Sequence, residues 1–404
     1  MLGGEIGFEK PRLRRSFDGE LIGLLDAICA DLEISDAMFK LAEDRYTSIA
    51  KYLDEPDSPL HRFRPQIHPQ GSINIGTTVK PILSNEFDVD VIFLLTLGTR
   101  LSKDAFKRMI FERLLQRGCY TLREMNRCIR VQYANEFHID ITPAIPDDIQ
   151  GPQNILITDK EQGRWKESNP RDYAEWFRES ARFQPRISYS EMHAFSANDR
   201  ASVEPLPQPK SSRPILNRVV QLLKRHRDLV YKGHKDAPIS AIITTLCAHS
   251  YRRNTSIVFD SEAEFLLRVV ADMPKSITRD GDVETIPNPQ NPLENFADKW
   301  MRHPQRRLEF YRWHALAVAH FEKIVYKEGR AKAELVHELS AAYGGEVITR
   351  AVVTNAEQRR VAAEKQEIGV TKGSGLLAPT AAGIYTTSKS VIPIRKHTNF
   401  GRPQ

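Results

Sequence analysis

The stretch Gln70-Gly-Ser-Ile-Asn-Ile-Gly-Thr77, followed by Asp88-Val-Asp-Val-Ile-Phe-Leu-Leu95, decides the fold and the chemistry of this chain. The second segment is rich in β-branched and aromatic residues, which is typical of a buried strand. Alternate side chains of a strand share a face, so Asp88 and Asp90 project together while the valines point into the core. The sequence therefore predicts a strand that begins with a pair of carboxylates.

A third carboxylate, Asp140, lies in the apolar segment Phe137-His-Ile-Asp-Ile141, which also favours a strand. Three anions buried together are costly unless cations neutralise them, and ligands that are all oxygen suit Mg²⁺ or Mn²⁺. Two such ions about 3.5–4 Å apart can activate an attacking hydroxyl and stabilise a leaving pyrophosphate. We therefore expect Asp88, Asp90 and Asp140 to be catalytic and to bind two Mg²⁺ ions, with Mn²⁺ as a substitute.

The pair Gly71-Ser72 is expected to be a turn that holds phosphates. Glycine lets the backbone approach a ligand closely, and free N–H groups together with the Ser72 hydroxyl can bind a triphosphate. No Gly-Lys-Ser/Thr follows, so the segment is not a Walker A loop. A Gly-Ser turn or an Asp-x-Asp pair is common by itself. Their order along the chain, with a further aspartate inside a strand, favours the functional interpretation.

The overall composition is that of a globular protein, with 404 residues of which 41% are apolar and 27% charged. No run approaches the roughly 18 apolar residues of a membrane span, and the N-terminus lacks a signal peptide's apolar stretch, so a cytosolic location is expected. A net charge of +6 suits polyphosphate ligands but is no strong nucleic-acid signal. Four cysteines without a C-x-x-C pair indicate neither a zinc site nor a disulfide framework.

Residues 1–205 form the first predicted domain, a mixed α/β (α+β) core. Apolar positions recur at helical spacing from Leu21 to about Leu53, and the strands described above follow. Prolines with serines and asparagines over residues 183–214 mark a connector. The domain boundary is expected there.

Residues 206–370 form a second, mostly helical domain. A Pro/Asn stretch over residues 286–292 interrupts the helical pattern, which is expected to resume at Leu293. Residues 371–404 are predicted to be a flexible tail, because glycine, threonine and serine prevail and periodicity is weak. The end of that tail, Val391-Ile-Pro-Ile-Arg-Lys396, concentrates apolar and basic residues and suits binding of a partner in extended form.

Taken together, these motifs resemble the polymerase-β-type nucleotidyltransferase superfamily. They are most similar to the bacterial cyclic GMP-AMP synthase/DncV-like nucleotidyltransferases, called CD-NTases. The resemblance covers most of residues 15–360. The motifs that carry it are Gln70-Gly-Ser72, Glu86-Phe-Asp-Val-Asp-Val-Ile92, His138-Ile-Asp-Ile-Thr-Pro143, Gln221-Leu-Leu-Lys-Arg-His-Arg-Asp228, Pro238-Ile-Ser-Ala-Ile-Ile243 and Asn288-Pro-Gln-Asn-Pro-Leu-Glu-Asn-Phe-Ala297.

The resemblance implies roles for individual residues. Asp88 and Asp90 would bind both metal ions, and Asp140 the ion that activates the acceptor hydroxyl. The residues implied to contact the donor nucleotide are Gln70, Gly71, Ser72, Lys224 and Ser240. In animal cyclic GMP-AMP synthase an aromatic residue that stacks on a base follows the matching serine, whereas Ala241 stands here, so the base-stacking residue is unassigned.

The resemblance also implies an architecture and an activity. The nucleotidyltransferase core and the helical domain would form two lobes, as in poly(A) polymerase and oligoadenylate synthase, with nucleoside triphosphates bound between them. The product would be a cyclic di- or trinucleotide, made through a linear intermediate with release of pyrophosphate, and ATP is expected among the substrates. Such signals serve anti-phage (CBASS-type) defence, and a CBASS accessory protein is the partner implied for the tail.

Two other functions remain open. A template-independent polymerase that extends RNA or makes linear oligoadenylate has nearly the same core motifs. A nucleotide-binding regulator without turnover is the second alternative, although the intact carboxylates and Gly-Ser pair argue against it. Outside the motifs, we expect His138 and the helical cluster Tyr173, Trp176 and Phe177 to pack in the core.

Overall fold

The computed structural model describes most of the chain, and both the mixed sheet and the helical second half are confirmed. The residues described are 11–82, 87–97, 101–118, 121–133, 137–161, 163–188, 213–326, 332–364, 368–371, 377–379 and 391–393. The predicted boundary between residues 205 and 206 lies outside them. Within these ranges, no helix has the length and apolar character needed to cross a membrane.

The secondary structure alternates in the first half and is mostly helical in the second. The helices are α1 (Pro11–Leu32), α2 (Asp36–Leu53), α3 (Gly71–Ile75), α4 (Lys103–Gln116), α5 (Pro170–Arg182), α6 (Ile215–Tyr231), α7 (Ser240–Asn254), α8 (Glu262–Ala271), α9 (Pro304–Val325), α10 (Lys332–Tyr343) and α11 (Gly345–Glu364). The strands are β1 (Pro65–Pro69), β2 (Phe87–Leu95), β3 (Thr121–Glu124), β4 (Ile129–Tyr133), β5 (Phe137–Pro146), β6 (Ile155–Asp159), β7 (Arg164–Ser168), β8 (Arg186–Ile187), β9 (Val258–Phe259), β10 (Thr278–Asp280), β11 (Val283–Thr285), β12 (Pro287–Asn288), β13 (Asn291–Asn295), β14 (Ile368–Thr371), β15 (Leu377–Pro379) and β16 (Val391–Pro393).

The central sheet contains strands β1 to β7, with β1-β2-β5-β4-β3 as its main order. β6 pairs with β5, and β7 pairs with β6. β2 and β5 run parallel, whereas every other neighbouring pair in this sheet is antiparallel. The register places β2 and β5 side by side at the positions of the predicted carboxylates.

One face of this sheet is apolar and packs against α2 and α4. Val89 and Val91 of β2 and Ile139 of β5 are buried there, with Phe106 and Ile110 of α4 in the same cluster. The two covering helices begin at serine caps, whose hydroxyls accept hydrogen bonds from backbone N–H groups of the first turn. The alternation of apolar and polar residues therefore leaves the opposite face of the sheet for polar side chains.

The second hydrophobic cluster does not follow the order of the chain. Besides side chains of helices α6 to α11, it contains Leu21 and Leu25 of α1 and Trp176 and Phe177 of α5. Helices α1 and α5 therefore bury apolar side chains in the same hydrophobic interior as the helical second half. The packing prediction for Trp176 and Phe177 agrees with this cluster.

The prediction that helical structure resumes at Leu293 is wrong. Residues 287–295 form the hairpin β12–β13, and the next helix, α9, begins at Pro304. Prolines break the helical pattern here, and Asn288 and Asn291 accept hydrogen bonds from N–H groups two residues later, which favours turns over helix.

The end of the chain contains paired strands, which no sequence pattern predicted. β14 lies between β15 and β16 in a small antiparallel sheet. The remaining residues of the predicted tail, including 394–404, lie outside the described residues.

Candidate active site

Three charged side chains lie in one row across the sheet. In the register of the strands, Asp90 of β2 is directly opposite Asp140 of β5, which in turn is opposite Arg130 of β4. Neighbouring strands are about 4.8 Å apart, so these side chains are adjacent on the polar face. Asp88 lies two residues before Asp90 and therefore on the same face. The sheet thus brings the three predicted carboxylates together.

Arg130 contacts two of these carboxylates. Its Nε and Nη2 atoms donate to Oδ1 and Oδ2 of Asp140, each at 2.8 Å, and Nη2 is also 3.2 Å from Oδ1 of Asp88. Hydrogen bonding to Asp140 raises the pKa of the guanidinium above its ordinary value, so Arg130 is cationic. Asp140 is buried, with 8% of its surface exposed, whereas Asp88 is exposed.

Asp90 is in the most constrained position of the three. Burial, followed by the charges of Asp140 and Asp88, raises the pKa of its carboxyl from 3.8 to about 7, against the opposing effect of Arg130 and Lys224. Gly71 packs against it so closely that an added Cβ would lie 2.5 Å from Oδ2 of Asp90. The site concentrates negative charge around a carboxyl that a bound cation would hold ionised.

The donor set fits a hard divalent cation, because three carboxylates on neighbouring strands supply only oxygen ligands. Among the described residues, however, no three acidic, histidine or cysteine side chains already converge as a metal site. Both oxygens of Asp140 accept hydrogen bonds from Arg130. The backbone positions of the three carboxylates are thus suited to a shared cation, and the orientation of Asp140 is that of its contact with Arg130.

The predicted turn at Gly71 is the start of the short helix α3. Gly71 has a φ of +65°, a conformation that L side chains rarely adopt, which explains the glycine. The N–H of Gln70 donates to the carbonyl of Asp90 at 2.9 Å, and its side-chain amide lies 3.4 Å from the hydroxyl of Thr142. The segment Gln70, Gly71 and the partly buried Ser72 therefore lies beside Asp88, Asp90 and Asp140, which we call the carboxylate row.

One face of α6 holds the segment that follows α3. Asn217, Gln221 and Lys224 are spaced by four and three residues, so they lie along one side of the helix. Asn217 donates to the carbonyls of residues 75 and 76, Gln221 to that of Thr78, and Lys224 to that of Thr77. We call these three residues the α6 polar ladder.

Lys224 is buried, with 5% of its surface exposed. Its ammonium donates to the hydroxyl of Thr77 at 2.9 Å and to its carbonyl at 3.2 Å, and the N–H of Thr77 donates to the carbonyl of Ser72. Burial, followed by the charge of Arg227, lowers the pKa of Lys224 from 10.5 to about 7. Lys224 is therefore linked to the Ser72 turn through Thr77.

Ser240 begins α7 and lies next to a further cation. Its hydroxyl is 3.1 Å from Nη1 of Arg227, which also donates to the carbonyl of Pro238 at 3.0 Å. Arg227 in turn is close enough to Lys224 to lower its pKa. Lys224 and Ser240, both predicted from the sequence, therefore both lie near Arg227.

The two halves of the chain are also joined through a buried glutamate. Glu294 in the β12–β13 hairpin accepts hydrogen bonds from the hydroxyl of Ser168 at 2.8 Å, the N–H of Asn169 at 3.1 Å and the amide of Asn288 at 2.7 Å. Ser168 and Asn169 connect the sheet to α5. The Asn288–Ala297 motif therefore fixes the helical half against the catalytic core.

A sequence model of the family described as Second Messenger Oligonucleotide or Dinucleotide Synthetase domain matches residues 23–180. A c-di-GMP synthase of Roseivirga ehrenbergii is 28% identical in an alignment of 392 positions that covers 92% of this chain and 98% of that protein. The cyclic dinucleotide synthase CdnG of Bradyrhizobium diazoefficiens is 26% identical in an alignment of 419 positions that covers 97% of this chain and 98% of the relative. Residues 23–180 of this chain therefore match the domain of the CD-NTase family, as the motifs predicted, and the chain is similar to bacterial CD-NTases over most of its length.

The solved structures agree with the CD-NTase assignment at the level of the fold. The structure of the Bradyrhizobium diazoefficiens CD-NTase CdnG in complex with GTP aligns with a TM-score of 0.63 at 23% identity, over 82% of this chain and 98% of that one. The family and the enzyme class expected from the motifs, a nucleotidyltransferase, are confirmed.

Three residues of this candidate site are not predicted by the sequence motifs. Arg130 lies in the apolar segment Ile129–Tyr133, where a charged residue inside a strand was an available signal. Thr77 belongs to the quoted motif, but only the fold shows that Lys224 is its hydrogen-bond partner. Arg227 belongs to the basic run that begins at Lys224, whose first three residues are buried rather than forming a solvated helix face.

Proposed function

We propose that this CD-NTase joins nucleoside triphosphates into a cyclic dinucleotide second messenger, with release of pyrophosphate at each bond. The observation that carries the proposal is the row of Asp90 and Asp140 on paired parallel strands, with Asp88 on the same face and the Gly71-Ser72 turn against Asp90. Acidic, phosphate-binding and cationic groups then meet at one polar face, as nucleotidyl transfer requires.

The carboxylates are proposed as the ligands of divalent metal ions, on which CD-NTases in general depend. Bound there, two Mg²⁺ ions would supply Lewis acidity to the acceptor hydroxyl and to the leaving pyrophosphate. Asp88 and Asp90 would hold both ions, and Asp140 the one nearer the acceptor hydroxyl. The chain's own contribution is to hold three carboxylates at adjacent backbone positions before substrate binds.

The donor triphosphate is proposed to lie between the Ser72 turn and the start of α7. Gln70, Gly71 and Ser72 supply polar groups from the core, and Lys224 and Ser240 supply them from the helical half. Arg227, which contacts Ser240, adds a guanidinium, and a guanidinium suits phosphate oxygens. This arrangement would fix the α-phosphate for in-line attack.

Guanosine triphosphate is proposed as a substrate, in addition to the ATP expected from the sequence. Two relatives that match more than nine-tenths of this chain are named as a c-di-GMP synthase and a cyclic dinucleotide synthase, and the latter has been solved with GTP. These names support a cyclic dinucleotide rather than a trinucleotide.

The biological setting proposed for the product is anti-phage signalling in the cytoplasm. The residues beyond Thr371 are proposed to bind a CBASS accessory protein. Both statements extend the family resemblance to this chain.

The proposed activity can be tested with the purified protein, Mg²⁺ and the four nucleoside triphosphates, singly and mixed. A cyclic dinucleotide is expected, resistant to phosphatase because it has no terminal phosphate, with mass spectrometry to identify its bases. The matched negative control is Asp88→Asn with Asp90→Asn. Linear phosphatase-sensitive oligomers would favour the template-independent polymerase, and nucleotide binding without pyrophosphate release would favour the regulator.

A further inference from the structure

Arg130 is the described cation in closest contact with the carboxylate row, and its contact with Asp140 has a specific form. Nε and Nη2 each donate to a different oxygen of one carboxylate at the same 2.8 Å distance. Such a fork defines the plane of the carboxylate as well as its position, which a single ammonium cannot do. The orientation of Asp140 is therefore set by Arg130.

The contact is built into the sheet. Arg130 and Asp140 are direct neighbours in the antiparallel register of β4 and β5, so the arginine needs no extended reach. Only 23% of the Arg130 side chain and 11% of the Asp140 side chain are exposed, which limits competition from water. Nη2 also lies 3.2 Å from Oδ1 of Asp88 on β2, two strands away. One guanidinium therefore contacts two of the three carboxylates.

A carboxylate held in this way still has room for a cation. Each of its oxygens offers two acceptor positions, and the fork uses one on each. Carboxylates that bind metal ions are themselves usually hydrogen-bonded, and loss of such a partner typically lowers metal affinity by about 10–100-fold. We propose that Arg130 is a positioning residue: it fixes the orientation of Asp140 and contacts Asp88 directly, and this orientation of Asp140 supports divalent metal binding by the three carboxylates.

This inference rests on the proposed metal-dependent function. For the removal of Arg130 it predicts the opposite change in metal affinity from a purely electrostatic role. If Arg130 acted only as a positive charge, its removal would raise the affinity for a divalent cation, and Arg130→Lys would leave it unchanged. A positioning role predicts that both Arg130→Met and Arg130→Lys lower that affinity, because neither side chain forms the fork.

The experiment is titration of the nucleotide-free full-length protein with Mn²⁺, with free Mn²⁺ measured by electron paramagnetic resonance. Arg130→Lys and Arg130→Met are each expected to weaken binding by about tenfold or more. The matched control is Arg123→Met, because Arg123 is opposite Arg130 in the register of β3 and β4 and is exposed. That variant is expected to bind Mn²⁺ like the wild-type protein.

A second readout separates positioning from loss of folding. Circular dichroism is expected to match the wild type for Arg130→Lys. Its kcat for NTP turnover is expected to fall with an unchanged KM, because the side-chain contacts of Arg130 are with Asp140 and Asp88 and not with the residues proposed to bind the donor triphosphate. Unchanged or tighter Mn²⁺ binding in Arg130→Lys overturns the inference. Wild-type protein that neither binds Mn²⁺ nor turns over NTP would instead overturn the proposed function itself.

Discussion

The ammonium of Lys224 is hydrogen-bonded to Thr77, a residue 147 positions earlier in the chain. Thr77 in turn donates its N–H to the carbonyl of Ser72. A helix of the second half thus supports the turn that is proposed to bind the donor triphosphate. Lys224 can therefore act on that turn through Thr77 as well as on phosphate oxygens directly.

Lys224→Met is expected to raise the KM for NTP by about tenfold and to lower kcat, because misplaced phosphates lose in-line geometry. Thr77→Val, which removes only the hydroxyl, should produce a smaller change in the same direction. The double variant measures the coupling, and effects that are less than additive indicate that Lys224 acts through Thr77. The control is Lys235→Met, an exposed lysine beyond α6. Unchanged kinetics in Lys224→Met would remove Lys224 from the site.

The buried Lys224 also predicts how stability changes with pH. Its pKa is lowered from 10.5 to about 7 in the folded protein. Between those values only the unfolded chain binds the proton, so unfolding takes up a proton and becomes less favourable as the pH rises. The free energy of unfolding of the wild type relative to Lys224→Met should therefore increase from about pH 7 towards pH 10. Urea denaturation at several pH values measures this difference, and a flat or falling one contradicts the lowered pKa.

Gly71→Ala is expected to abolish most of the activity, by about a hundredfold, because its Cβ would lie 2.5 Å from Oδ2 of Asp90 and displace that carboxylate. The control is Gly118→Ala, whose φ of +70° imposes similar backbone strain but whose Cβ would meet nothing within 4 Å. Both variants should lose about 1 kcal/mol of stability. Steady-state turnover and thermal unfolding of the pair separate the two effects, and equal loss of activity in both would mean that strain alone is responsible.

Asp140→Asn is expected to lower turnover by about a thousandfold or more while the protein remains folded, because a proposed metal ligand loses its charge at constant volume. Asp148→Asn, at an exposed turn after β5, serves as the control and should turn over NTP like the wild type. Pyrophosphate release provides the measurement. Retention of more than about a tenth of the activity would show that Asp140 is not a metal ligand.

Deletion of residues 371–404 is expected to leave NTP turnover within about twofold, since terminal segments tolerate removal when catalysis does not use them. Among the described residues, the contacts of the proposed site involve nothing beyond α11. The same deletion should abolish capture of an accessory protein through the tail. A dead or misfolded truncation would indicate that the pairing of β14 with β15 and β16 is needed by the rest of the chain.

The parts of the fold that depend on local pattern were predictable from the sequence. The alternation in Asp88–Leu95 identified both the strand and the shared face of its carboxylates. The helical periodicity after residue 214 identified the second half. Both signals arise from side-chain periods of two and about 3.6 residues, which act over short stretches of chain.

The contacts that complete the site depend on long-range register, which no local pattern specifies. Arg130 meets Asp140 only because β4 and β5 pair with those residues opposite each other. Lys224 meets Thr77 only because α6 packs against the segment after α3. The hairpin at Asn288 differs from the sequence prediction for another reason. The residues after the proline-rich stretch fit a helical pattern, but asparagine side chains there form turns instead.

Helices α1 and α5 share one hydrophobic cluster with helices α6 to α11, and this sharing affects how the protein unfolds. Cutting the chain in the connector would leave Leu21, Leu25 and Phe177 on one fragment and most of the side chains that bury them on the other. Neither fragment could bury all of these apolar side chains by itself, so unfolding of one half of the chain must expose apolar surface of the other half to water. The enzyme is thus expected to unfold in one cooperative transition, although the residues of its proposed site come from both halves of the sequence.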